Sequence, residues 1–438
     1  VKNTGIKIIK KLQQAGYEAV FAGGCVRDKL MGIEPYDWDI ATSAKPDEVE
    51  QLFGKTIPIG KAFGVINVIE NNFQFEVATF RTDINCNGRW PDQVVFGSME
   101  QDALRRDFTI NGMFWDPIAD RVFDFVNGQE DIKNEVIRFI GSPEDRIQED
   151  NLRMLRALRF ADRFSFTIDI KSFEAIKRNS FKIKRISKER IQQEMVKVFT
   201  RSTGVLFFDH LISTYLGIFI IPELFLLVYE CPQDEQYHPE GNGYIHTRAV
   251  LKNLLEADYK VRIAGLLHDI GKPLTYKLVN NKITNHGHAE LGFEMSTMIL
   301  EQLKFSNNDV NYIANLVKDH MKIKDVALMK KSTFKRLANQ PYFIDLLKLC
   351  KADCLASSGD LSDYTTVLNR YNELSNAPIL PTPYINGKIL IEMGFEEGPE
   401  IGQIKQLIYN EQLEGTISCF EEAIELAKQL YTKKKNCG

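Results

Sequence analysis

The chain has 438 residues, 44% hydrophobic and 26% charged, with a formal net charge of -4. These are ordinary values for a folded enzyme of two to four domains of roughly 150 residues each, and they exclude a disordered, collagen-like or disulfide-scaffold protein. So small a net charge means that any nucleic-acid partner must be met by local basic patches. Seven cysteines show no C-x-x-C pair, which fits reduced thiols and an expected cytoplasmic location. No signal-peptide pattern opens the chain, and its start at Val1 points to a trimmed N-terminus. The most apolar stretch, 204–228, is interrupted by Asp209, His210, Pro222 and Glu223. A membrane span needs about 18 to 20 apolar residues, so buried core helices are expected there and no membrane association.

In chain order, residues 3–15 read as an amphipathic helix and Glu18 to Ala22 as a short strand. Gly64–Glu70 and Phe73–Phe80 alternate like hairpin strands around Asn71-Asn72. Val94 to Phe96 and Val122 to Phe125 read as further strands. From about 143 the strand signals vanish, and helices are expected to the end. Pro381-Thr382-Pro383 marks a loop near the last fifth.

The first chemistry-bearing stretch runs from Phe21 through Gly23-Gly24 to Arg27-Asp28, followed by Asp37-Trp38-Asp39. A strand feeding a Gly-Gly turn and a helix start lets backbone N–H groups approach phosphate. Asp37 and Asp39, read as strand residues i and i+2, share a face. Two adjacent carboxylates repel unless a cation lies between them, and hard oxygens beside phosphate suit Mg2+. Such a site can activate a 3′-hydroxyl and stabilise departing pyrophosphate. Glu76 is either a third carboxylate or an exposed strand residue. In Arg105-Arg106-Asp107, the guanidinium forks suit triphosphate oxygens, and Asp107 is placed to accept from a ribose hydroxyl. After Glu149-Asp150, leucines 152, 155 and 158 and arginines 153, 156 and 159 recur every three residues. Composition alone would make the arginine stripe a solvated face.

Together these residues resemble a known family, the class II tRNA nucleotidyltransferases, which comprise CCA-adding enzymes and bacterial poly(A) polymerases. The resemblance lies in Gly23-Gly24-x-Val26-Arg27-Asp28, Asp37-x-Asp39, Arg105 to Asn111, Glu149-Asp150-x-x-Arg153-x-x-Arg156-x-x-Arg159-Phe160 and, more weakly, Arg190 to Glu194. It implies that Asp37 and Asp39 hold metal, that Gly24, Arg27 and Arg106 contact nucleotide, and that Asp150 and Arg153 template the base, with Arg156 and Arg159 nearby. Cytosine and adenine both present an amino donor beside a ring-nitrogen acceptor, which a carboxylate and a guanidinium can pair. Uracil and guanine present a carbonyl beside an N–H, leaving both contacts unpaired. At about 1–3 kcal/mol for each buried unsatisfied group, rejection on the order of 10⁴-fold is expected. Phe80 to Pro91, with Arg81 and Asp83, resembles the family loop linked to the switch from C to A addition. Lys182, Lys184 and Arg185 lie in a basic stretch between Lys171 and Arg190, either a tRNA phosphate contact or a solvated face.

Five of seven histidines fall in one later region: His246, His268 followed by Asp269, His286, His288 and His320, with Asp353 beyond. This region resembles an HD-superfamily metal phosphohydrolase. His246, His268, Asp269 and Asp353 match the four ligand positions, and His286, His288 and His320 are extra ligands or phosphate contacts. Imidazole with carboxylate suits Mn2+, Ni2+, Co2+ or Zn2+ better than Mg2+.

The expected fold class is α+β: a polymerase-β-like nucleotidyltransferase head (1–140), a helical neck and body (141–230), an HD domain (231–355) and a helical tail (356–438). The expected partners are tRNA, CTP and ATP; nothing in the sequence sets an oligomeric state. The expected reaction is addition of C, C and A to tRNA. The rivals are an A-only adder or poly(A) polymerase, and an HD phosphohydrolase with an RNA-binding head. The reading requires the Asp37–Asp39 and Asp150–Arg153 pairs to share one cavity.

Overall fold

The computed structural model describes residues 1–58, 60–84, 93–229, 242–280, 282–374 and 379–437, with the side chains of 83, 84, 93, 282 and 433–437 outside that description. Two compact units result: Val1–Leu226 with Gln302–Phe305, and Leu227–Glu301 with Ser306–Gly438.

The first unit begins with the helix Lys2–Gln14, which buries Ile8, Ile9 and Leu12. Strands β1 (Ala19–Ala22), β2 (Ile40–Thr42), β3 (Thr56–Ile57), β4 (Val65–Glu70) and β5 (Phe73–Thr79) follow. Strands β6 (Arg81–Ile84) and β7 (Gln93–Phe96) form a separate antiparallel pair. After them come β8 (Met113–Asp116) and β9 (Arg121–Asp124). The main sheet has seven strands in the order β3-β4-β5-β2-β1-β8-β9. Asn71 and Asn72 take positive φ of 50° and 64° between β4 and β5, the geometry that a two-residue hairpin turn with right-handed twist demands.

Strand β1 lies inside the sheet and is buried on both faces. Ala19 and Phe21 join a cluster with Trp38 and Trp115, while Val20 and Ala22 join Phe80 and Phe114. Burial of both side-chain rows fixes its register, because a one-residue slip would exchange the two faces. The end of β1 is thereby held beside the start of β2.

Helices Pro143–Glu149, Leu152–Phe164, Ile170–Asn179 and Lys188–Arg201 complete the part of this unit that shapes the site. The apolar stretch 204–228 forms helices Val205–Ser213, Leu216–Ile220 and Glu223–Tyr229. No helix among the described residues is long and apolar enough to cross a membrane. The expectation of helix alone beyond 143 needs correction. Thr167–Ile168 pairs in parallel with Val136–Ile137, and Lys277–Val279 pairs with Lys282–Thr284. Strands of two or three residues are too short to display a period.

In the second unit, helices Gly243–Asn253, Tyr259–Leu267, His288–Gln302, Asn307–Asp319 and Phe343–Ala356 surround the histidine cluster. Farther on, helices Gly387–Glu392, Pro399–Glu414 and Phe420–Cys437 enclose a small core containing Ile385, Leu390, Phe395 and Ile408.

Candidate functional site

A cavity of about 590 Å³ in the first unit is lined by Gly23, Gly24, Arg27, Asp37, Asp39 and Arg106 on one side and by Asp150, Arg153, Arg156 and Arg190 on the other. Both required pairs therefore face one space. Gly23 takes φ of 73°, and a Cβ there would come within 2.6 Å of the Arg106 guanidinium. Glycine is thus needed both for the turn and for the close approach.

Asp37 and Asp39 lie in the extended segment just before β2, not within a strand. The Ala22 N–H donates to the Asp39 carbonyl at 3.0 Å, tying this segment to β1. Because Ile40 pairs with Val77 in parallel, Glu76 falls beside Asp39. Glu76 is exposed, and with Asp39, Arg81 and Arg105 it lines a smaller cavity. Burial pushes the Asp39 carboxyl up to about 6, Glu76 and Asp37 add to the rise, and Arg106 opposes it. A set of carboxylates that repel one another is what a hard divalent cation relieves.

The arginines around the cavity are each held by a protein acceptor. Buried Arg27 donates to Asp28 at 2.6 and 2.8 Å and to Asn111 Oδ1 at 2.5 Å. Asp28 also accepts from Arg163 at 3.0 Å. Arg105 and Arg106 converge on the two oxygens of Asp102, at 2.7 and 2.9 Å. Burial alone would raise the Asp102 carboxyl, but Arg106 and Arg105 hold it below the usual range. Arg153 donates to Glu149 at 2.5 Å and to the carbonyls of Arg146 and Arg105 at 3.2 and 3.1 Å. Asp150 accepts from Arg190 at 2.7 Å through one oxygen and from Leu152 N at 3.1 Å through the other. These contacts fix the side-chain planes around the cavity.

Glu149, Asp150 and Arg153 are spread over two helices: one ends at Glu149, Asp150 is extended, and the next begins at Leu152. The break turns Asp150 towards the cavity instead of along a helix face. One expectation needs correction: Asp107 lines the cavity, but its oxygens are engaged by protein donors and not left for a ribose hydroxyl. Its Oδ1 accepts from Phe108 N and Asn111 Nδ2 at 2.8 and 3.0 Å, and its Oδ2 accepts twice from Arg156 at 2.9 and 2.5 Å. Four contacts use its acceptor sites, so its service is to Arg156. Arg159 lines the same cavity beside Arg156 and donates to Glu194 at 2.5 Å. Burial lowers its pKa to about 10 although Glu194 opposes the change. This pair joins helix Leu152–Phe164 to helix Lys188–Arg201.

Arg81 donates to the Phe63 carbonyl. The Asp83 side chain and loop residues 85–92 lie outside the described residues. Lys182 donates to Gln148 at 3.1 Å, Lys184 lies over the Phe219 ring, and Arg185 is exposed. Sequence reasoning missed Asp102, although its spacing of three and four before Arg105 and Arg106 on a helix was available. It also gave Arg190 and Glu194 no role. The Asp28–Arg163 pair joins residues 135 apart and left no local signal.

In the second unit the histidines converge. Ligand atoms of His246, His268 and Asp353 form one group within 4.8 Å, and those of Asp269, His288 and His320 form another. All six residues are buried. His246 Nε2 lies 3.0 Å from Asp353 Oδ1, and His268 Nε2 lies 3.2 Å from Asp269 Oδ2. Lys272 Nζ is 2.6 Å from Asp269 Oδ2, but no hydrogen bond of acceptable geometry reaches that buried oxygen. A lone pair is therefore left for a cation, and the imidazole–carboxylate set fits a divalent transition metal. Histidine 286 stays out of the cluster, exposed on the rim of a cavity of about 630 Å³.

The profile of the poly A polymerase head domain matches residues 19–138, that of a probable RNA and SrmB-binding site of polymerase A matches 165–227, and the HD domain profile matches 243–358. A CCA-adding enzyme of Ligilactobacillus salivarius (strain UCC118) is 33% identical over 442 residues, covering 98% of this chain and 96% of that protein. The Bacillus stearothermophilus CCA-adding enzyme, solved in complex with CTP, superposes with a TM-score of 0.70 at 26% identity over 99% of each chain. The Thermotoga maritima CCA-adding enzyme complexed with tRNA shares the fold, with a TM-score of 0.61 at 19% identity over 98% of this chain and 95% of that one. A third of the residues shared along nearly the whole length, with the same fold throughout, places this chain in the family of CCA-adding enzymes.

Proposed function

We propose that this chain adds C, C and A to the 3′ end of tRNA, using CTP and ATP and releasing pyrophosphate. The observation that carries the reading is the single cavity bearing Asp37 and Asp39 together with Asp150 and Arg153. In this reading, residues 1–140 are the catalytic head, 141–230 the template and tRNA-binding neck and body, 231–355 the HD domain and 356–438 a tRNA-binding tail. Action on tRNA fits a cytoplasmic location.

Asp37 and Asp39, with Glu76 beside them, would hold Mg2+, which supplies positive charge to the 3′-hydroxyl and the triphosphate. The 3′ oxygen of tRNA gives up its proton to solvent and bonds to the α-phosphorus, the bond from that phosphorus to the oxygen bridging to the β-phosphate breaks, and pyrophosphate leaves with the electron pair. Gly23 and Gly24 let the phosphates approach the main chain, and Arg27 and Arg106 face them with fixed guanidinium planes. Asp150 retains lone pairs for a base amino group, since each oxygen has one protein donor. Arg153 would donate to the ring nitrogen. This pair accepts C and A as a class; Lys182, Lys184 and Arg185 would meet tRNA phosphates, and Arg81 and Asp83 would serve the switch between the two nucleotides. The HD cluster would hold Mn2+, Ni2+, Co2+ or Zn2+ and serve hydrolysis of a phosphate ester.

The test is extension of a tRNA lacking its CCA end with CTP alone, ATP alone and both. Two C additions with CTP and a final A with both are expected. Absence of C incorporation would favour an A-only adder and overturn the reading.

A further inference from the structure

We propose that a cavity of about 350 Å³ in the second unit, lined by residues of helices Asn307–Asp319 and Lys331–Ala338, binds a nucleoside phosphate, with Lys318, Lys322 and Arg336 on the phosphate and Asp319 on the ribose. None of the six residues of the histidine cluster lines this cavity, so the inference stands apart from the reading of that cluster.

Three observations carry it. First, the charge is mixed. Lys318, Lys322 and Arg336 face a space that also holds the Asp319 carboxylate. Cations alone would suit a free phosphate or sulfate. A buried carboxylate repels such an anion at close range, so the fitting ligand joins a phosphate to hydroxyl or amino donors. Second, Asp319 has acceptor capacity left. It is 4% exposed, and its Oδ2 accepts from the Tyr342 hydroxyl at 2.8 Å. Lys322 Nζ lies 2.7 Å from Oδ1, but no hydrogen bond of acceptable geometry reaches that buried oxygen. The Lys322 side chain is half-exposed. When its amine turns to a phosphate, Oδ1 opens to a ribose hydroxyl, the donor that acidic side chains take in nucleotide sites. Third, the remaining wall suits a base. Met329 and buried Leu337 offer apolar surface to a ring face, and the amides of Asn315 and Gln340 can pair with its edge. The volume falls in the range of small-molecule sites, about 300–1,000 Å³.

Arg336 is held in place before any ligand enters. Its Nη2 donates to Asn410 Oδ1 at 2.8 Å, and its guanidinium lies 5.3 Å from the centre of the Tyr409 ring. Both partners belong to helix Pro399–Glu414 of the tail. A guanidinium fixed in this way loses little freedom on meeting phosphate. Lys318 and Lys322 also line the 630 Å³ cavity, whereas Arg336 does not. Arg336 is therefore the side chain that tells the two cavities apart.

The experiment photolabels the full chain with 8-azidoadenosine 5′-monophosphate in the presence of chelator and maps the modified peptides by mass spectrometry. Label is expected on peptides containing Met329, Leu337 or Gln340. Absence of label from those peptides, whether or not the first unit or segment 283–290 of the larger cavity is labelled, overturns the inference. Unlabelled AMP should protect them, and adenosine or inorganic phosphate should protect about tenfold less well, equivalent to about 1.4 kcal/mol. Inorganic phosphate that protects as well as AMP overturns the nucleoside assignment. Arg336→Met should weaken AMP protection about tenfold. Asp319→Asn should weaken protection by AMP and improve protection by phosphate, because it removes the charge that repels a bare anion. Equal losses for both would reduce Asp319 to a structural role and overturn its assignment to ribose. Thermal melting confirms that the variants fold; if either unfolds, the peptide map of the unaltered chain decides alone. Protection by the trinucleotide CCA that exceeds that of AMP assigns the bound unit to an RNA end, and weaker protection assigns it to a free nucleotide.

Discussion

Arg156 and Asp107, separated by 49 residues in the chain, meet through two hydrogen bonds of 2.9 and 2.5 Å at the wall of the nucleotide cavity. Burial alone would raise the Asp107 carboxyl, but Arg156, Asn111 and Arg153 hold it well below the usual carboxylate range. The aspartate is ionised at any working pH, and any effect on nucleotide is expected to pass through the arginine. Asp107→Asn should lower CTP and ATP incorporation. A double-mutant cycle with Arg156→Ala should show a coupling of about 0.5–3 kcal/mol. Additive effects would mean that Asp107 contacts nucleotide directly.

Asp39 sets a pH limit. Its carboxyl is raised to about 6, first by burial and then by Glu76 and Asp37. A raised carboxyl takes up its proton at higher pH, so the cation binding proposed for Asp39 should weaken as pH falls through about 6. Nucleotide addition should decline there. Since proton and Mg2+ compete for the same oxygens, raising Mg2+ should move the acid limb to lower pH. An acid limb that ignores Mg2+ concentration would detach Asp39 from cation binding.

In the proposed reading, Asp150 and Arg153 govern base choice. Asp150→Ala or Arg153→Ala should reduce addition of C and A while narrowing the preference over UTP and GTP by about 10- to 100-fold, the worth of one buried hydrogen-bonding partner at about 1–3 kcal/mol. Single-turnover incorporation of each nucleotide gives the ratios. Equal losses for all four would show that the two side chains support the cavity without reading the base.

The two chemistries should separate by mutation. Asp39→Ala should abolish nucleotide addition and spare phosphate-ester hydrolysis, and Asp269→Ala should do the opposite. Extension of tRNA and release of p-nitrophenol, measured on the same preparations, check both arms. Retained addition in Asp39→Ala would refute the head assignment.

The paired strands around Asn71-Asn72, the glycine turn after Phe21 and the leucine stripe from Leu152 were legible because local spacing dictates backbone geometry and burial. Likewise, the types and order of the acidic, arginine and histidine residues pointed to both candidate sites, since metal and phosphate contacts need those functional groups. Tertiary structure alone decided how each group is used. It engaged Asp107 with Arg156, paired Arg159 with Glu194, joined Asp28 to Arg163, and left His286 on a rim while bringing His288 and His320 together. The physical reason is that a side chain's role depends on which partners use its lone pairs and protons, and partners 32 to 135 residues away are chosen by packing, not by neighbouring sequence.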